Sequence, residues 1–219
     1  MKKYILLSLK CLLLLALILG CSALQIKREV HENTFVSSYP NFAISVGPEY
    51  KYIGSIDNNG TGESISGRNL RYSTESFSFV KPDKDRAEKV VSVDIDTIQT
   101  YFVSDFFRNV KNQLDKGTTD LGGEKFQYYT MFVEPTMNRS KTRHIAEQGY
   151  KMSTGLVKVF GRIYGAKGNT LVKIYYYEAL DNSKFDNRSW KNADDLSQKQ
   201  IEYLRDFDES AKIAFELMS

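Results

Sequence analysis

The stretch Leu156–Leu180, LVKVFGRIY-GAKGNT-LVKIYYYEAL, decides the fold. In its first arm Val157, Val159 and Ile163 share one side. In its second arm Val172, Ile174 and Tyr176 do the same. A period of two belongs to a pleated strand, whose successive side chains point to opposite faces. Gly165–Asn169 supplies turn residues between the arms, so the stretch reads as a β-hairpin.

The same alternation recurs outward from it. Phe42, Ile44 and Val46 alternate with smaller residues until Gly47-Pro48 breaks the run. Tyr50–Ile56 and Arg71–Val80 read as strands, the latter with Phe77 and Phe79 on one face. Asp57–Gly67 between them, DNNGTGESISG, has the composition of a loop. Val91, Val93 and Ile95 alternate with Ser92, Asp94 and Asp96, which predicts a half-buried strand with its acids in water. Phe126–Val133 is a further strand, ended by Glu134-Pro135. Lys116–Gly123 reads as a loop, and Glu134–Thr154 as a long, polar, basic segment.

Two segments carry a helical period. Ile98, Phe102, Phe106, Val110 and Leu114 recur every four residues, which fits a helix over residues 99–115. A strand continuing to Val103 is the alternative, because Thr, Tyr and Val favour strands. Near the end of the chain, Ser197 and Gln200 form a capping box. Leu204, Phe207, Ala211, Ala214, Phe215 and Met218 then form an apolar stripe, and Asp208 stands four residues before Lys212. The expectation is an α+β domain over residues 38–219. It comprises an antiparallel sheet of about seven strands, a C-terminal helix on one face and a middle helix. Residues 21–37, charged and without a clean period, read as a tether.

Composition narrows the function classes. The chain has 219 residues, 26% of them charged, with two cysteines and two histidines. That composition argues against a disordered chain and a disulfide scaffold, and leaves little for a His/Cys zinc site. The net charge of +3 is misleading. Residues 1–20 hold three of the 30 basic residues and no acid, leaving 27 against 27 in the remainder.

Those first residues, MKKYILLSLKCLLLLALILG, have a basic start and an apolar run. This is the layout of a secretory signal peptide, too short to span a bilayer comfortably. Ile18-Leu19-Gly20-Cys21 at its end resembles the lipobox of bacterial lipoproteins, with Ile18 where Leu is more usual. The resemblance covers residues 1–22 only. It implies cleavage between Gly20 and Cys21 and acyl chains on Cys21, two or more of which give stable membrane attachment. In a host with two membranes, Ser22 after the cysteine implies the outer one. Cys11 would leave with the signal peptide, so the exported domain would carry no thiol.

Chemistry in the remainder is sparse. Asp57, Asn59, Thr61 and Gly62 match the first, third, fifth and sixth places of a calcium loop, but the twelfth is Arg68 rather than Glu. Asp94 and Asp96 share a strand face, as paired carboxylates would. His144 lies in a basic stretch near Ser140 and Ser153, without the flanking signature of a nucleophile site. The basic residues Arg139, Lys141 and Arg143 offer a surface for acidic head groups or an acidic partner. Tyr175-Tyr176-Tyr177 and Tyr128-Tyr129 place rings on both faces of a strand. Either both faces are covered, or Tyr175, Tyr177 and Tyr128 mark a binding surface. The reading is a lipid-anchored envelope protein with a non-enzymatic binding or structural domain. It calls for no cofactor and no nucleic-acid partner. A carrier of an apolar ligand between sheet and helix is the alternative, and a hydrolase a weaker one.

Overall fold

The hairpin of residues 155–180 stands at the centre of a seven-stranded antiparallel sheet. The computed structural model describes residues 26–63, 69–98, 110, 112–166, 168–180, 190 and 193–218. In chain order the strands are β1 (Arg28–His31), β2 (Thr34–Ser38), β3 (Asn41–Val46), β4 (Lys51–Glu63), β5 (Asn69–Asp83) and β6 (Arg86–Ile98). They continue with β7 (Gln113–Leu121), β8 (Glu124–Val133), β9 (Gly155–Tyr164), β10 (Thr170–Ala179) and β11 (Phe215–Met218). Two α-helices are described, α1 (Ser140–Glu147) and α2 (Gln198–Ile213). The large sheet runs β4-β5-β6-β10-β9-β8-β7, and a four-stranded sheet runs β1-β2-β3-β11. The chain is therefore α+β, with antiparallel sheet dominant.

The two faces of the large sheet are covered by different layers. On the first face, Phe77, Phe79, Val91, Val93, Ile95, Phe160, Val172, Ile174 and Tyr176 meet the small sheet and α2 in one core. Phe35 of β2 lies 4.6 Å from Phe77 between ring centroids, and Phe207 of α2 lies 5.3 Å from Tyr176. Arg28 of β1 pairs with Glu75 of β5, a charged link between the sheets. On the second face a smaller core of Ile53, Val80, Ala87, Val90, Ile145 and Tyr177 lies under α1.

Several boundaries differ from the sequence expectation. Residues 28–37 are not a tether. Strands β1 and β2 start the fold, and Phe35 is fully buried. Val36 and Ser38 are exposed while Phe35 and Ser37 are buried, so the period of two is present but spans only one short strand.

Residues 57–63 are no loop either. Strand β4 continues through them, with Asn59 opposite Ser73 and Gly60 opposite Tyr72. A Cβ on Gly60 would lie 2.5 Å from the Tyr72 ring, so this glycine admits a cross-strand aromatic. Cross-strand pairing has overridden the turn chemistry of Asn-Asn-Gly, and the calcium-loop pattern is extended strand. Arg68 lies outside the described residues.

The helix expected over 99–115 lies outside the described residues from 99 to 109. Its end is strand, because β7 begins at Gln113, and β7 also takes up most of the expected 116–123 loop. The C-terminal helix stops at Ile213. Phe215–Met218, which the apolar stripe had included, peels away to pair with β3. Its residues alternate buried and exposed, and the free edge of β3 gives their backbone a ladder that another helical turn would not. The capping box is present, with Gln200 Oε1 accepting the Ser197 backbone N–H at 3.0 Å.

Candidate functional site under the first helix

Helix α1 forms where sequence alone disfavours it. Its N-cap is Arg139, which makes no side-chain cap, and its first turn holds no acid. Three basic residues, Arg139, Lys141 and Arg143, crowd the positive end of the helix dipole. At eight residues the helix is also too short to persist alone. Its end is well formed. Gly149, at φ +90°, donates to Ala146 O at 2.9 Å, and Tyr150 donates to Ile145 O at 3.2 Å. These two bonds make a Schellman motif, closed by the packing of Tyr150 near Ile145. Gly149-Tyr150 is the local mark that could have pointed to this helix, within a segment that otherwise reads as polar loop.

Tertiary contacts hold the other end. Lys141 Nζ lies 2.9 Å from Asp94 Oδ1 on β6 and 3.6 Å above the centre of the Tyr175 ring on β10. Ile145 is fully buried. Asn58 Nδ2 on β4 donates to Ser140 Oγ at 3.2 Å.

Asp94 and Asp96 are thus not water-facing acids. They are 5% and 9% exposed. Strand β6 is interior to the sheet and covered on both sides, so its second face is buried as well. Each acid is neutralised, Asp94 by Lys141 and Asp96 by Lys173 at 2.6 Å, with the Thr74 hydroxyl 2.7 Å from Asp96. Burial pulls the Lys141 ammonium below the ordinary lysine range, and the Asp94 carboxylate opposes that. At Lys173 burial acts the same way but is outweighed by Tyr175, Asp96 and Asp94, which hold the ammonium above its usual range. Burial likewise pushes the Tyr175 hydroxyl up. Removing Asp94 would take from the Lys141 ammonium, whose side chain is only a quarter exposed, the carboxylate that offsets its burial. Asp94→Ala is expected to cost about 2 kcal/mol, read as a lower urea midpoint; an unchanged midpoint would mean water already solvates the ammonium.

Between α1 and the sheet lies a recess of about 240 Å³. Its floor is Tyr175 and Tyr177 of β10, Val157 and Val159 of β9, and Tyr129, Met131 and Val133 of β8. Arg139, Lys141, Thr142 and Ile145 form its wall. Lys141 is committed to Asp94. Among the described residues the Arg139 guanidinium has no hydrogen-bond or ion-pair partner, and it is near enough to Tyr129 to act on its hydroxyl.

The residues expected to mark a binding surface are divided. Tyr175, Tyr177, Arg139 and Lys141 come together at this recess. Arg143 points to solvent on the outer side of α1. Tyr128 lies on the opposite face, 3.8 Å beneath the buried Lys158 ammonium. Both faces of the triple tyrosine are covered, Tyr176 by α2 and Tyr177 by α1, and the recess is what remains open. Val157, Val159 and Met131 were missed, because apolar alternation alone does not say which side of a doubly covered sheet keeps a gap.

His144 is buried beside Gly54, which sits at φ +110° in a bulge of β4. Its Nε2 has no hydrogen-bond partner among the described residues, so no carboxylate or hydroxyl orients it from that nitrogen as a general base. Ser140 and Ser153 bond elsewhere. Among the described residues no three His, Cys, Asp or Glu side chains cluster as a metal site would require. No described helix is long and apolar enough to cross a membrane. Gly20 and Cys21 lie outside the described residues. Comparison with family models, curated proteins and solved structures finds no match for this chain.

Proposed function

We propose that this chain is a lipid-anchored protein of the bacterial cell envelope whose domain is a binding module rather than an enzyme, with the recess under α1 as its contact site. The observation that carries the binding half is the recess itself, where an aromatic floor meets a guanidinium that has no partner among the described residues. The anchoring half rests on the lipobox resemblance. Its consequence for geometry is tight. Strand β1 starts at Arg28, so the seven steps from Cys21 reach about 25 Å at full extension. The domain would therefore sit against the membrane surface that holds its acyl chains.

Volume argues against this recess as the cavity of a carrier. Pockets that enclose a small molecule measure about 300–1,000 Å³, and this one holds about 240 Å³. It accepts one apolar group of a larger partner, or a very small ligand, and does not swallow a lipid chain.

Two experiments test the proposal. Cys21→Ser is expected to move the protein from the membrane to the soluble fraction, and continued membrane retention would contradict lipidation. Cross-linking in cells followed by pull-down should recover a specific partner with the native protein. Val157→Phe fills the recess and should abolish that recovery; equal recovery from both would contradict the assignment of the site.

A further inference from the structure

We infer that the recess under α1 takes a small apolar monocarboxylate, its aryl or short acyl group on the tyrosine floor and its carboxylate at Arg139. The inference rests on the reading of the recess as a binding site and adds the chemistry of what enters it. Three features carry it, namely size, polarity and charge.

An apolar cavity of about 150 Å³ suffices to hold benzene. The 240 Å³ here admits a single ring with a short side arm, or an acyl chain of comparable bulk, and no more. The floor of Tyr129, Tyr175, Tyr177, Val157, Val159 and Met131 matches that group in polarity. The Lys141 ammonium already covers one face of the Tyr175 ring, so the lining tyrosines offer an aryl guest offset or edge contacts.

Charge then selects an acid over a neutral guest. Asp94 is the acid among the lining residues and Lys141 neutralises it. Among the described residues Arg139 has no counter-charge, and it stands at a helix start that holds no acid in its first turn. A carboxylate placed at the mouth would pair with the guanidinium fork, which matches carboxylate geometry with two parallel hydrogen bonds. Arg139 is solvent-exposed, so the pairing tunes affinity modestly and the apolar floor supplies most of it.

The test uses the full chain in nanodiscs of zwitterionic lipid and the probe 3-(4-fluorophenyl)propanoate, followed by ¹⁹F NMR titration. Its neutral amide is the control. The acid should bind saturably and about two- to fivefold more tightly than the amide, with the margin shrinking at 1 M salt. Arg139→Ala should bring the acid down to the level of the amide, and Arg139→Lys should keep part of the margin. Arg139 lies at the surface, so thermal melts should show both variants folded. Val157→Phe should weaken both probes. Equal affinity of acid and amide in the native protein overturns the carboxylate inference and leaves the recess as an apolar contact site. Absence of saturable binding by either probe overturns the inference as well. The cross-linking loss in Val157→Phe then separately decides whether the recess is a contact site at all.

Discussion

Phe35→Ala is expected to destabilise the protein by about 3–5 kcal/mol and to lower its melting temperature by roughly 10 °C. Phe35 is fully buried, with its ring 4.6 Å from Phe77 and 5.7 Å from Phe42. Truncation would open a cavity where the small sheet meets the large one, and neither sheet can close it without breaking its own ladder. Circular dichroism in a urea series gives the free energy. A loss under about 1 kcal/mol would mean that residues 34–38 behave as the tether their sequence suggests. Val36→Ala is the internal control. Val36 is more than a third exposed in the same strand, and its truncation should cost well under 1 kcal/mol.

The second large effect is an asymmetry between two ends of one ion pair. Lys158 of β9 is 2% exposed, points into the first-face core and pairs with Asp208 of α2. Asp208 also holds Lys212 at 2.8 Å, and Asp115 stands 3.9 Å from Lys158. Asp208→Ala leaves the buried ammonium only the longer contact to Asp115 and is expected to cost about 3 kcal/mol. Lys158→Met removes the buried charge and keeps the bulk, and should be neutral or stabilising. If both variants lose the same amount, the pair contributes by attraction alone and burial of the lysine carries no penalty.

The pH dependence follows from the same contacts. Burial raises the Asp208 carboxyl, but hydrogen bonds from Lys158 and Lys212 outweigh it and hold the group below its ordinary value of 3.8. Its contribution is complete above that value and is lost as pH falls through the depressed one. Acid unfolding monitored between about pH 5 and pH 2 should therefore be shallower in Lys158→Met than in the native protein.

How far the sequence reached depends on the element. The β9–β10 hairpin and β8 were legible because their alternation is strong and their turns contain glycine. Helix α2 was legible at its start, where Ser197 and Gln200 act within one turn. Its end was not, because Phe215 and Met218 fit the helical stripe and a strand equally, and only the neighbouring edge of β3 decides between them. Helix α1 was hidden by its own chemistry, with an uncapped start and three basic residues. The acids at 94 and 96 were placed on the correct shared face but in the wrong medium, since a strand does not say how many layers will cover it. Of the candidate site, the tyrosines and the basic cluster were each visible. Their meeting was not, because Arg139 and Tyr175 are 36 positions apart in the chain and are joined only when α1 folds back over the sheet.

The sequence by itself determined the local periods, and with them the antiparallel α+β class. It also holds the lipobox resemblance, since a signal peptide acts before folding and is read as a linear string. The tertiary structure alone decided which faces are buried and where β1 and β2 dock. It also decided that a lysine neutralises Asp94 and that a gap remains beneath α1. These outcomes depend on distance in space, through burial, Coulomb attraction and packing, and no local pattern along the chain encodes them.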